Sequence, residues 1–128
     1  MRRRAPVFLL ICCALISCTM SRAHHPLHVD QSFDTREVAL HPGQMLELSL
    51  GENPTTGFRW ELNETGGPAC ALRDNSFDAP AGGLGKGGTR RWLFEAVQTG
   101  TGRIALVYRR AWEDKPPART FGLTVRVE

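Results

Sequence analysis

Four histidines, one downstream cysteine and a glycine-rich run are the parts of this chain that could do chemistry by residue type. His24, His25, His28 and His41 offer imidazole nitrogens to a metal. Three of them crowd one polar stretch, and no carboxylate or cysteine spacing completes a ligand set, so no metal site is expected. Cys70 is the one cysteine beyond Cys12, Cys13 and Cys18. A nucleophilic thiol needs a paired base, and none is arranged around it, so it reads as a small buried apolar residue. No Ser/His/Asp set and no carboxylate pair can be assembled either. Gly83-x-Gly85-x-x-Gly88 satisfies the dinucleotide fingerprint. That motif requires a helix after it to bind phosphate, whereas Arg91-Trp92-Leu93-Phe94 is strand-like. Its glycines instead bare the backbone for close approach by a partner. The residues describe a non-enzyme without a cofactor.

Binding is the chemistry that remains, and it concentrates in three shaped loops. Asn53-Pro54-Thr55-Thr56-Gly57-Phe58 is the first. Pro54 fixes its own φ, Gly57 admits a positive φ, and Asn53 can hydrogen-bond within the turn, so two threonines are held outward on a stiff loop. The second is the glycine run, with Gly83, Leu84, Gly85, Gly87 and Gly88 as its candidate contact residues, leading into Trp92 and Phe94. The third spans 109–113, where Arg110 flanks Trp112 ahead of the Pro116-Pro117 break. A tryptophan beside an arginine on a loop suits an interface anchor.

The elements that must carry these loops are strands. Leu46, Leu48 and Leu50 alternate with Glu47 and Ser49. The same period of two runs through Phe58, Trp60 and Leu62, through Ile104, Leu106 and Tyr108, and through Phe121, Leu123, Val125 and Val127. Trp92 and Phe94 share a face in another run. Gly and Pro punctuate the gaps, and no helical stripe appears. About seven short strands predict an all-β, immunoglobulin-like antiparallel sandwich over residues 36–128, with a small barrel as the alternative. A lone Cys70 rules out an internal disulfide and with it the antibody-type subclass.

The N-terminus reads as a targeting segment. Arg2, Arg3 and Arg4 precede an apolar stretch from Val7 to Ile16 that is short for a membrane span. Leu15-Ile16-Ser17-Cys18 fits a lipobox with Cys18 as the acylated residue, and Ser21-Arg22-Ala23 offers an ordinary cleavage site. The lipobox is preferred because the apolar run stops at Cys18. Residues 1–17 are then signal and 18–35 a flexible tether. An exported protein follows, in the periplasm or on the outer membrane as a lipoprotein, or else secreted, touching membrane through the lipid alone. The formal net charge of +3 belongs to the three signal arginines, since residues 18–128 hold thirteen basic and thirteen acidic side chains. A neutral domain gives no footing for nucleic acid.

The three loops, in this order and spacing, resemble those of the chagasin-like inhibitors of papain-family cysteine peptidases. The likeness runs from about Arg36 to Val127. It rests on the intact element at 53–58, on the glycine run before Trp92-x-Phe94, and on Arg110-Ala111-Trp112-Glu113, where the family usually has proline at the second position. The resemblance implies a tight, reversible, non-covalent inhibitor whose partner is a papain-family peptidase, and a monomer is the default expectation. It places the 53–58 loop in mid-cleft with Thr55 and Thr56 against the catalytic cysteine, the 83–88 loop along the substrate side, and Trp112 on primed-side aromatics with Arg110 beside it. Ala111 leaves the third loop less stiff. A non-inhibitory immunoglobulin-like binding or adhesion module of the cell envelope is the alternative.

Overall fold

The computed structural model describes residues 24–80 and 85–128. Cys18, Gly83 and Leu84 lie outside them. Among the described residues, eight strands form two four-stranded sheets. In the first, β1 (Leu27–Val29), β3 (Met45–Glu52), β6 (Gly88–Ala96) and β5 (Cys70–Asp78) lie side by side in that order. In the second the order is β2 (Glu37–Leu40), β8 (Arg119–Val127), β7 (Gly100–Arg109) and β4 (Arg59–Thr65).

Alternation builds the core. Leu46, Leu48 and Leu50 point inward from β3, and β6 sets Phe94 opposite Leu46 and Trp92 opposite Leu48. In the facing sheet Ile104 pairs with Leu123 and Leu106 with Phe121. These side chains are buried and pack into one cluster. Cross-strand neighbours on one face are the unit that holds a sheet together, and two such faces make a sandwich.

Strand β1 and a 3₁₀ turn at Gln31–Phe33 fall inside the stretch assigned to a tether. From Leu27 onward the chain is therefore part of the fold. Leu27, His28 and Val29 pair in parallel with Leu46, Glu47 and Leu48. Three residues are too few to display a period, and the histidine polarity masks the buried Val29.

Parity of the chain direction places the loops. From β3 to β8 each strand reverses its predecessor, so the β3–β4, β5–β6 and β7–β8 connections must share one end. The register agrees: Glu52 faces Gly88, Asp78 faces Thr89, Arg59 faces Arg109 and Tyr108 faces Arg119. The two hairpins stay within their sheets. The β3–β4 loop crosses from one sheet to the other.

Cys70 begins β5 at the opposite end, buried against Gly66, and it is a free thiol. Burial pushes its pKa up. The folded state then keeps a proton that the unfolded chain releases above about pH 8.5. Stability from this group is complete below that pH and is lost as pH rises through the folded value. The unfolding free energy from urea titrations is expected to fall from about pH 8.5 upward, with a slope of at most about 1.4 kcal/mol per pH unit. Cys70→Ala should flatten that slope.

Candidate functional site: three loops at one end

The 53–58 loop is held by its own hydrogen bonds. Asn53 caps a 3₁₀ turn at Pro54–Thr56, its Oδ1 accepting from Thr55 N at 3.2 Å and from Thr55 Oγ1 at 2.6 Å. Thr56 donates both its N–H and its Oγ1 hydrogen to the Asn53 carbonyl, at 3.2 and 2.7 Å. Gly57 ends the turn at φ 80°, a left-handed conformation suited to glycine, and its N–H reaches the Pro54 carbonyl at 3.0 Å. Both threonines are exposed. Their hydroxyl hydrogens are engaged inside the loop, so the turn offers methyl groups and lone pairs outward.

The 109–113 loop is docked onto the first. Arg110 Nε donates to the Thr56 carbonyl at 2.9 Å, and its guanidinium lies 4.3 Å from the centre of the Phe58 ring. Arg110 Nη1 also pairs with Glu113 at 3.0 Å. The Trp112 indole covers Gly57 so closely that a Cβ there would fall 2.1 Å from Cη2. Even so, Trp112 remains 71% exposed, by far the most exposed large apolar side chain among the described residues. Ala111 does not leave this loop unbraced, because Arg110 ties it to the Thr56 carbonyl of the first loop.

The described part of the glycine loop closes the other flank. Asn53 Nδ2 donates to the Gly85 carbonyl at 3.3 Å. Gly87 passes beside Asn53 and the Glu52 backbone. Gly88 opens β6 with no room for a side chain, since a Cβ would lie 2.3 Å from the Asp78 carbonyl oxygen. Gly88 therefore serves the close approach of β5, while Gly85 and Gly87 border the edge.

Beneath the loops lies a floor built from aromatic residues of the strand alternation together with Arg119 and Glu52, which the alternation did not single out. Phe58 stacks on Tyr108 at 5.3 Å and Trp60 tilts against the same ring at 4.9 Å. The Tyr108 hydroxyl accepts from Asn53 N at 3.3 Å, and Arg119 lies over Trp60 and Tyr108. Glu52, 2% exposed, is the sole buried charged residue described. One signal for it stood in the sequence: positions 46, 48, 50 and 52 share the inward register, and a carboxylate at the last of them demands a partner.

Asn53→Ala removes the cap and both Thr55 bonds. A loss of about 1 kcal/mol of unfolding free energy is expected, read from urea midpoints. Asn53→Asp, which keeps the acceptors, should recover most of it.

A shallow, mostly apolar hollow of roughly 420 Å³ lies at the edge itself, between Pro54, Thr55, Phe77 and Gly85. A groove of roughly 390 Å³ lies on the second sheet, lined in part by Arg36, Arg103 and Phe121. Cys70 and the histidines are elsewhere. His24 and His41 stack at 4.4 Å, and no group of three metal-ligating side chains converges among the described residues.

A family model described as chagasin family peptidase inhibitor I42 matches residues 39–125. The chain belongs to the chagasin family. Among its relatives, Amoebiasin-1 of Entamoeba histolytica is 34% identical over 91 residues, 71% of this chain and 89% of that protein. Chagasin of Trypanosoma cruzi is 32% identical over 75 residues, 55% of this chain and 68% of its own. The crystal structure of EhICP2, a cysteine protease inhibitor from Entamoeba histolytica, superposes with a TM-score of 0.72 at 21% identity, covering 81% of this chain and 96% of that one. That structural likeness speaks to the fold, and the family match to the class: a peptidase inhibitor, not an enzyme.

Proposed function

We propose that this chagasin-family protein inhibits papain-family cysteine peptidases tightly, reversibly and without covalent chemistry, by wedging its loop edge into the active-site cleft. The observation that carries this reading is the braced edge itself. Three loops meet at one end, cross-linked by Arg110 and Asn53, with Thr55, Thr56 and Trp112 exposed on top.

Thr55 and Thr56 would cover the catalytic cysteine. The Asn53, Pro54 and Thr56 carbonyls are turned into bonds of the edge itself, the first two to the loop and the third to Arg110. A turn tied in this way would hold its backbone away from the geometry in which a scissile carbonyl meets oxyanion donors. Trp112 would fill an aromatic-lined pocket on the primed side, and the glycine run would lie along the substrate side. Arg110, with two nitrogens engaged within the edge, would act chiefly by holding the first and third loops together. Loops that need little ordering on binding lose little affinity to it, and about 800 Å² per partner is within reach of three loops.

Export through the N-terminal signal, acylation at Cys18 and a monomeric state complete the proposal. Mass spectrometry of the exported protein, with and without Cys18→Ser, distinguishes a lipid anchor from ordinary cleavage.

The test is titration of papain with residues 24–128, beside a variant carrying Thr55→Ala, Thr56→Ala and Trp112→Ala. Stoichiometric inhibition by the wild type and its loss in the variant is the expected result. No inhibition of papain or of a cathepsin panel by correctly folded wild type would refute the proposal and favour a non-inhibitory envelope module.

A further inference from the structure

The 53–58 loop has a structural problem that its own hydrogen bonds do not solve. It leaves β3 in one sheet and enters β4 in the other, and these strands share no ladder. Side chains must close its base. Glu52 Oε1 accepts the Trp60 backbone N–H at 2.8 Å, and Trp60 Nε1 donates to the Gly51 carbonyl at 2.9 Å. Both stems of the loop are thereby tied across the sandwich.

The same carboxylate reaches the glycine loop. Glu52 Oε2 accepts from Arg90 Nε at 2.9 Å and from Nη2 at 2.8 Å. Arg90 stands two residues beyond Gly88, on the strand that leaves that loop. Its guanidinium lies 5.2 Å from the Phe77 ring centre, and Nη1 contacts Asn75 Oδ1 at 3.4 Å, so β5 is engaged as well. Neither side chain faces out: Glu52 is fully enclosed and Arg90 largely so.

We propose that Glu52 and Arg90 are positioning residues, a clamp that holds the 53–58 loop and the glycine loop in one fixed register for the peptidase cleft. The inference rests on the inhibitor reading for its consequence, but not for its geometry. Stability alone does not explain the pair. Apolar side chains at two inward positions would fill the core equally well, and buried ion pairs are often no more stabilising than apolar replacements. What an apolar pair cannot do is receive the Trp60 N–H and aim one strand at another. With the clamp released, the loops sample several relative positions. The competent fraction, and with it the apparent affinity, then falls.

The experiment uses the mature protein and the double variant Glu52→Gln/Arg90→Met. It removes both charges together and keeps an acceptor for Trp60. Melting temperature, backbone ¹⁵N order parameters and the papain inhibition constant are measured on each protein. The melting temperature is expected to fall by roughly 5–10 °C, because the buried amide N–H₂ at position 52 loses its Arg90 partner, with the fold retained. Order parameters at residues 55–58 and 85–88 should fall together, from about 0.85 toward about 0.6. The inhibition constant should rise about tenfold, mainly through slower association. Arg90→Lys, which keeps one donor, should lie between. Unchanged order parameters in both loops, or loosening of one loop alone, would overturn the clamp whatever the peptidase data show. Joint loosening in a protein whose wild type inhibits no peptidase would uphold the clamp and reject the inhibitor reading.

Discussion

Gly57→Ala is expected to raise the inhibition constant by about 100-fold, the largest effect of any single substitution at the edge. Two costs combine. Residue 57 sits at φ 80°, where a Cβ meets its own backbone at about 1–2 kcal/mol. The new methyl would also lie 2.1 Å from Trp112 Cη2 and 2.8 Å from Cζ2, so the indole has to leave its seat. Losing a well-placed anchor tryptophan costs about 2 kcal/mol or more. Together these approach about 3 kcal/mol, or two decades in affinity. Gly57→Asn separates the two terms, since asparagine tolerates the left-handed region but still carries a Cβ. It should recover the strain and leave the collision. Titration of papain with each variant, at a concentration where circular dichroism shows native structure, decides the matter. A change of less than about fivefold in Gly57→Ala would mean that the loop and the indole accommodate the methyl, contrary to the packing described.

Trp112→Ala is the second large effect, and its signature is a split between affinity and stability. The side chain is 71% exposed in the free protein, so its removal should move unfolding free energy by less than about 0.5 kcal/mol. Affinity should fall by about 2 kcal/mol, some 30-fold, because a flat aromatic anchor desolvated in a pocket dominates interfaces of this size. The loss should appear as faster dissociation. Leu72 and Val97, at 37% and 41% exposure, are the other exposed large apolar residues described, and their alanine variants provide the matched controls. A change under twofold for Trp112→Ala would remove the indole from the binding surface.

The inward faces of β3, β6, β7 and β8 were legible because side-chain direction alternates residue by residue, whatever lies opposite. Strands β1 and β5, like the four-residue β2, were not. The first is three residues long. The second is an edge strand with a register shift between Leu72 and Asp74, and its burial shows no alternation. The shape of the 53–58 loop was readable for a related reason. Most of its bonds join residues two or three apart, from Asn53 to Thr55 and Thr56 and from Gly57 to Pro54. Export and Cys18 acylation were read from residues outside the described structure and stand as proposals.

By itself, then, the sequence determined which side chains face the core, how the first loop turns and, through the family's motifs, that the chain is a peptidase inhibitor. All of these are local in the chain. Tertiary structure alone decided what braces the edge. Arg110 meets Thr56 across 54 positions and Glu52 meets Arg90 across 38. Trp112 settles on Gly57 from the opposite hairpin. Such contacts depend on the register of strands and the crossing between sheets, which set distances that spacing along the chain does not encode.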